Sequence, residues 1–185
     1  MSSNAAELQA LLDRNCDELL PSVQEVRRHI HEFPELSWEE TETQAYIKGW
    51  LEDLGLSPQV AAGTGLYVDI GGPGSPVIYR CDIDALPIDT SEIDRAVNSK
   101  VPGVSHSCGH DVHASIGAGL AGVFHAMRDE LPGPVRVVFQ PAEEVVPSGG
   151  EALVEAGVLD GMKAAVGIHV DPSFNVGSIG VLEGC

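Results

Sequence analysis

His106-Ser107-Cys108-Gly109-His110-Asp111-Val112-His113 gathers a thiol, three imidazoles and a carboxylate into eight residues. These are groups that a transition metal accepts as ligands, or that orient such ligands. Gly109 lets the backbone fold tightly enough for Cys108 and His110 to reach one ion. Downstream stand Glu143 and Glu144, directly after Pro141-Ala142, and then His169 within Gly167-Ile168-His169-Val170. A set of Cys, His, Glu and His drawn from three segments is a mixed sulfur, nitrogen and oxygen site of the kind used for hydrolysis. The chemistry expected is metal-dependent hydrolysis.

Each of these residues also has a plainer reading. Cys-x-His alone is a weak pattern that fits a buried thiol beside a surface imidazole. It gains weight from the density of ligand types around it and from the glutamates and His169 downstream. A structural zinc knot is disfavoured, because such knots prefer cysteine-rich sets and carboxylates dominate here. Adjacent glutamates are usually an exposed acidic pair. Glu143 and Glu144, however, follow the apolar run Val137-Val138-Phe139 and a proline turn. A metal site that splits water needs one carboxylate on the ion and another free to take a proton, and two neighbouring glutamates can divide those tasks. Asp82 and Asp84 alternate on an extended segment and so can face one side. Ligation, loop capping and orientation of a histidine all remain open to them, the last being ranked first. His169 alone would be a core histidine. His29, His31 and His125 lie on helical segments without partners in sequence and read as structural or solvent-facing, with His106 and His113 intermediate. Gly63-Thr64-Gly65 and Gly71-Gly72-Pro73-Gly74 lack the Lys-Ser/Thr of a phosphate loop, which leaves nucleotide binding little support.

The elements that must position these groups have their own signatures. Leu8, Leu11, Leu12 and Leu19, then Val23, Val26 and Ile30, carry a helical period. Pro21 suits the first turn of a second helix. Ser37-Trp38-Glu39-Glu40 fits a capping box, opening a helix with Tyr46, Ile47, Trp50, Leu51 and Leu54 on one side and a stop at Gly55. Leu66–Ile70 and Val77–Arg80 read as strands flanking Gly71–Gly74, a hairpin-like connection. Ile88–Gly103 reads as a polar loop. Ile116, Leu120, Val123, Phe124 and Met127 mark a helix whose Gly117, Gly119 and Gly122 are tolerable if it packs closely on a sheet. Val135–Phe139 reads as a buried strand, Gly149–Ala156 as a short helix and Ala164–Val170 as a further strand. Alternation of this kind predicts an α/β fold with a mostly parallel central sheet flanked by helices. Active sites of open α/β sheets gather at the carboxyl ends of strands, so Asp82, Asp84, Glu143, Glu144 and His169 are expected to converge there with the Cys108–His113 segment.

The chain has 185 residues, of which 43% are hydrophobic, enough for one domain with a substantial core. No apolar run approaches the roughly 20 residues of a membrane span, and the N-terminus has no secretory signal pattern. Twenty-eight acidic residues against ten basic ones give a formal charge of -18, which argues against nucleic acid as a partner. The four cysteines, Cys16, Cys81, Cys108 and Cys185, form no Cys-x-x-Cys pair, and a reducing cytoplasm is expected. Cys16 and Cys81 read as buried apolar fillers. Cys185 is assigned no role.

Five ordered stretches resemble a known family: Arg28–Ser37, Arg80–Pro87, His106–His113, Phe139–Glu144 and Gly167–Val170. They look like the aminoacylase-like metallopeptidases, in the amidohydrolase branch that contains hippurate hydrolase and the auxin-conjugate hydrolases. The match runs from about residue 26 to the C-terminus. The resemblance implies a catalytic domain with two divalent metals per site (Zn, Mn or Co) that cleaves the amide of N-acyl amino acids with metal-activated water. It implies Cys108, His110, Glu144 and His169 as metal ligands and Glu143 as the general base. Asp82, Asp84, Asp111 and His113 are expected, from the residues themselves, to stand behind those ligands and orient them. The resemblance also implies that residues 1–185 are a partial catalytic domain. A lid and dimerisation domain, a returning segment and a last His ligand are expected beyond Gly180, and a homodimer only with that domain present. Two readings follow, an amidohydrolase and a truncated, non-catalytic metal-binding fragment.

Overall fold

The computed structural model describes residues 3–91 and 96–181, with side chains of Ser3 and Asn4 left aside; Cys185 and part of the 88–103 loop lie outside the described residues. Among the described residues four α-helices and a short 3-10 turn (Arg128–Glu130) accompany a five-stranded sheet. In chain order the elements are α1 (Ser3–Glu32), α2 (Thr41–Asp53), β1 (Gln59–Ala61), β2 (Gly65–Ile70), β3 (Val77–Asp82), α3 (His110–Ala126), β4 (Val135–Gln140), α4 (Gly149–Glu155) and β5 (Ala164–Gly167). The sheet runs β1-β2-β4-β3-β5. The α/β architecture with a helix-flanked central sheet is as expected, but the sheet is mixed rather than mostly parallel. β4 and β5 lie parallel to β3, whereas β2 is antiparallel to both β1 and β4. The connection from β1 to β2 is too short for a crossover and forces that pair antiparallel.

The glycine-rich link 71–76 is not a hairpin. β4 enters between β2 and β3 and pairs with both, Val135 standing opposite Ile70 on one side and Val77 on the other. A six-residue link is long enough to step over one strand, a separation of roughly 10 Å. Sequence spacing alone cannot reveal that a later strand fills the gap.

Period-two alternation sorts the strands' side chains onto two faces. Tyr79, Cys81, Val137 and Phe139 join Val26, Ile30, Ile47, Leu51 and Ala114, Ala118 and Ala121 of α3 in the main core. Ile78 and Val138 face the other way, onto Leu153 and Val158 beside α4. Gly117 on α3 makes the close helix–sheet approach possible: a Cβ there would lie 2.5 Å from Cys81 Sγ and 3.2 Å from Phe139 Cε1. Gly117→Ala is therefore expected to cost about 1–3 kcal/mol through overpacking, read as a lower urea midpoint. Gly119 and Gly122 instead meet Val23 and Leu19 of α1.

Three local expectations differ from what forms. Pro21 lies inside one continuous helix rather than starting a second. The long flanking turns, with the later ones packed on α3, outweigh the one lost backbone bond. The capping box does not form. Glu35 caps α2 instead, its carboxylate accepting from the N–H groups of Glu42 (3.1 Å) and Thr43 (2.7 Å), while Ser37 turns to Asp84. Cys16 is exposed rather than buried, because little covers the first half of α1. The stop at Gly55 does form: Leu56 N–H donates to Leu51 O and Gly55 N–H to Glu52 O, at φ +86° for Gly55. That pair of bonds is a Schellman closure, with Leu51 and Leu56 both in the core.

Candidate metal centre

Strand register delivers the chemistry to one edge of the sheet. In the parallel β3–β4 pair Asp82 stands opposite Gln140, so Asp84 and Glu143-Glu144 emerge side by side from adjacent strand ends. β5 is in register with β3 through Gly167 opposite Arg80, which places His169, two residues beyond the strand, at the level of Asp82. The strand expected over 164–170 thus ends at Gly167, and His169 lies in the exposed segment after it. From below, α3 begins at His110. Gly109 before it adopts φ +97°, a conformation that favours glycine, and a Cβ there would come within 2.3 Å of Val170 Cγ2. The tight fold expected of Gly109 is what forms.

His110 is held from behind. Its Nδ1 donates to Asp84 O at 2.8 Å, with Asp84 Oδ1 at 3.1 Å. That leaves Nε2 as the lone-pair nitrogen. Among the described residues this buried atom has no hydrogen-bond partner, and neither does Glu144 Oε1. The two orphans stand 3.7 Å apart, with Asp82 Oδ1 at 3.7 Å and Glu143 Oε2 at 3.9 Å from the same nitrogen. Buried polar atoms are rarely left unpaired, and a lone pair facing three carboxylates is unfavourable unless a cation sits among them. Cys108 Sγ lies 3.3 Å from His169 Nε2. Among the described residues three donor triads form, the ligand atoms of each lying within 4.8 Å of one another: Cys108, His110 and His169; Asp82, His110 and His113; His110, Glu143 and Glu144. They overlap at His110, and the mix of thiolate, imidazole and carboxylate suits a divalent transition metal.

The remaining expected residues take up distinct places. His113 donates from Nδ1 to Asp82 Oδ1 at 2.7 Å, and its Nε2 accepts from Val170 N–H at 2.9 Å, tying the His169 segment to α3. Asp82 also accepts from Arg80 Nη1 at 2.6 Å. Asp84 accepts from Ser37 Oγ (2.7 Å) and Glu144 N–H (3.1 Å), pinning the glutamate loop to His110. Burial raises the Asp84 pKa, but these bonds from His110, Ser37 and the loop outweigh it and bring it down to about 2. The Glu143 backbone N–H also bonds to Asp84, whereas its side chain makes no hydrogen bond among the described residues and is 39% exposed. The structure does not bring Asp111 to this cluster. Its carboxylate turns to α1, where Oδ2 accepts from Arg27 Nε and His31 Nδ1, both at 2.8 Å. His106 is buried nearby with neither ring nitrogen paired, and burial lowers its pKa to about 4.

Several positioning groups were missed in the sequence. Arg27 and His31 share a helix face at i, i+4, a signal that was present. Glu40 gave none: it is fully buried, and its Oε1 accepts from Ala142 N–H at 2.7 Å. That bond holds Ala142 at φ +46°, in the left-handed region that costs a non-glycine residue roughly 1–2 kcal/mol, directly before Glu143.

Protons and cations compete for this site. Burial, a hydrogen bond to Glu144 and the neighbouring carboxylates push the Cys108 thiol up to about 12. His110 is raised as well: burial lowers it, but Asp84, Asp82 and Glu144 together outweigh burial. A cation must displace the thiol proton at any neutral pH, and the imidazole proton too at lower pH. Zinc affinity is thus expected to rise with pH through the neutral range, by at least about tenfold per pH unit, as read by competition with a chromophoric chelator. A pH-independent affinity would contradict this.

The sequence profile described as "Peptidase family M20/M25/M40" matches residues 78–184, more than half of the chain. The hydrolase y4tI of Sinorhizobium fredii (strain NGR234) is 49% identical over 168 residues, 88% of this chain and 42% of the relative. The N-acyl-L-amino acid amidohydrolase of Geobacillus stearothermophilus is 39% identical, covering 94% of this chain and 47% of the relative. Among solved structures, a dinuclear metal-binding peptidase of the M20 family from Bacillus subtilis superposes with a TM-score of 0.82 at 39% identity, over 95% of this chain and 48% of that one. The chain spans less than half the length of these relatives. Among the described residues no helix is long and apolar enough to cross a membrane.

Proposed function

The chain belongs to peptidase family M20/M25/M40, and from that premise we propose that it carries the metal-binding part of an amidohydrolase acting on N-acyl amino acids. The observation that carries this reading is the pair of orphaned buried atoms, His110 Nε2 and Glu144 Oε1, facing each other at 3.7 Å. The printed activity of the Geobacillus relative supports the substrate class, and the likeness to a dinuclear peptidase supports two cations. Cys108, His110, Glu144 and His169 would hold the metal, with zinc favoured by the thiolate and manganese or cobalt by the other donors. When bound, the metal supplies a Lewis acid that polarises the amide carbonyl and acidifies water.

The chain's own residues do the rest. Asp84 fixes His110 and the glutamate loop, Asp82 fixes His113, and His113 fixes the backbone next to His169. Glu143, whose side chain makes no hydrogen bond among the described residues and is reachable by solvent, takes a proton from water at Oε2 and returns it to the leaving amine. A small N-acyl amino acid is the substrate in this reading, and a cytoplasmic setting fits its sparse cysteines. A second reading is favoured by the coverage of relatives. In it the 185 residues form a partial catalytic domain that binds metal without turnover, a lid and a last ligand lying beyond them.

Zinc, manganese or cobalt added to the purified chain separates the two readings on hippurate and N-acetyl amino acids. Metal-dependent turnover supports the enzyme, whereas uptake without turnover supports the metal-binding part alone. Cys108→Ser is expected to weaken metal binding by roughly 100-fold, and Cys16→Ser to leave it unchanged. Equal metal content in the two variants would overturn the ligand assignment.

A further inference from the structure

The donors of the candidate metal centre are anchored unequally. On one side the buried Asp84 carboxylate fastens Ser37, His110 and the Glu144 backbone together. On the other, His169 belongs to a stretch in which every residue from 161 to 181 is exposed. β5 itself is fixed by its parallel ladder to β3, which ends where Gly167 stands opposite Arg80. Beyond that ladder, among the described residues, segment 168–181 reaches the rest of the protein through two polar contacts. Val170 N–H donates to His113 Nε2 at 2.9 Å, and His169 Nε2 lies 3.3 Å from Cys108 Sγ. Its other bonds are internal: Phe174 N–H to Asp171 O, Ser173 N–H to Asp171 Oδ1 and Ser178 N–H to Asn175 O. A segment with so few buried contacts opens at little cost in free energy. Residues between Gly167 and Gly180 nevertheless line much of a cavity of about 1290 Å³, completed by the last turns of α1 and by residues between His106 and Val112.

We propose that Cys108 and His169 form a clasp that a cation closes, fastening segment 168–181 to the start of α3 and thereby completing the cavity. The proposal rests on the metal centre described above and gives the cation a structural task besides chemistry. Where one thiol–imidazole contact is replaced by two bonds to a shared ion, the free energy of binding is coupled to the ordering of the segment. Asp84 keeps His110 and the glutamate loop in place without help from the ion, so the centre has a preformed half and a recruited half. The cavity is then assembled in a fixed order. The cation enters first, and an organic ligand finds a complete wall only afterwards.

Hydrogen–deuterium exchange of the full chain, read by mass spectrometry with and without saturating zinc, tests this. Peptides covering 168–181 are expected to exchange about tenfold or more slowly with zinc bound. Peptides covering 5–16, at the far end of α1, should exchange equally in both conditions. His169→Ala retains Cys108, His110 and Glu144, and at a zinc concentration that saturates it the segment should still exchange fast. Zinc content of the same samples separates the two levels of the account. Zinc bound with unchanged exchange over 168–181 overturns the clasp and leaves the centre standing. Failure of the wild-type chain to take up zinc refutes the centre and the clasp together. Protection in zinc-loaded His169→Ala equal to wild type also overturns the clasp, because the imidazole would then not be its fastening. Should that variant take up no zinc, the wild-type comparison alone decides.

Discussion

Replacing His110 with alanine is expected to lower zinc affinity roughly 100-fold or more, while the chain stays folded. Three candidate donor groups share this one imidazole, so its loss damages all of them at once. The carboxylates of Asp82, Glu143 and Glu144 remain, but without the nitrogen they have no fixed centre around which to arrange. The structural cost is smaller. His110 contributes bonds from Nδ1 to Asp84, worth on the order of 1 kcal/mol net, and its removal relieves a lone pair that faces oxygen atoms. A histidine kept for packing alone would show the reverse pattern, a large loss of stability with metal binding intact. Chelator competition together with urea denaturation distinguishes the two.

Glu143→Gln is expected to reduce hydrolysis of N-acetyl amino acids by about 10²- to 10⁴-fold, with metal content unchanged. The glutamine is nearly isosteric, and Glu143 makes no hydrogen bond that the change would break, so folding and cation uptake should survive. What disappears is a group able to accept a proton from water and return it. Glu144→Gln should behave differently, because Glu144 Oε1 is one of the buried orphans at the centre and its charge belongs to cation binding. Loss of metal in the Glu144 variant alongside loss of turnover in the Glu143 variant would establish the division of labour between neighbouring residues. Equal metal loss in both would remove it.

Much of this centre was legible in the sequence, because the groups that do chemistry are rare types placed where strands end. Val137, Val138 and Phe139 announced a buried strand, and a carboxylate pair directly after such a strand has few structural reasons to be there. Gly109 between a thiol and an imidazole announced a tight bend. Other features depend on partners that spacing does not encode. Ser37 looked like a helix cap because the local pattern was right, yet Asp84, 47 residues away, took its hydroxyl, and Glu35 capped the helix instead. The hairpin reading failed for a similar reason: β4, formed much later in the chain, occupies the space between β2 and β3. Asp111 sat among ligand types and was grouped with them. On α3 it follows His110 by one residue, about 100° around the helix, and so faces α1 rather than the strand ends.

These same contacts tie the elements of the centre to one another. Asp84 is bound at once by the side chains of Ser37 and His110 and by the backbone of Glu144, so the loop after α1, the start of α3 and the loop after β4 are fastened at one carboxylate. Glu40 performs the parallel task at Ala142. Ligands positioned by buried groups of this kind lose little entropy on meeting a cation, which favours both affinity and defined geometry.

The most direct test of the account is zinc K-edge absorption, with anomalous diffraction, on the zinc-loaded chain. The account predicts one sulfur neighbour at about 2.3 Å and nitrogen or oxygen neighbours at about 2.0–2.2 Å. The anomalous peak should lie between Cys108 Sγ, His110 Nε2 and the Glu144 carboxylate, and the sulfur signal should vanish in Cys108→Ser. Zinc bound elsewhere, or a first shell with no sulfur and no contact to His110, would contradict it.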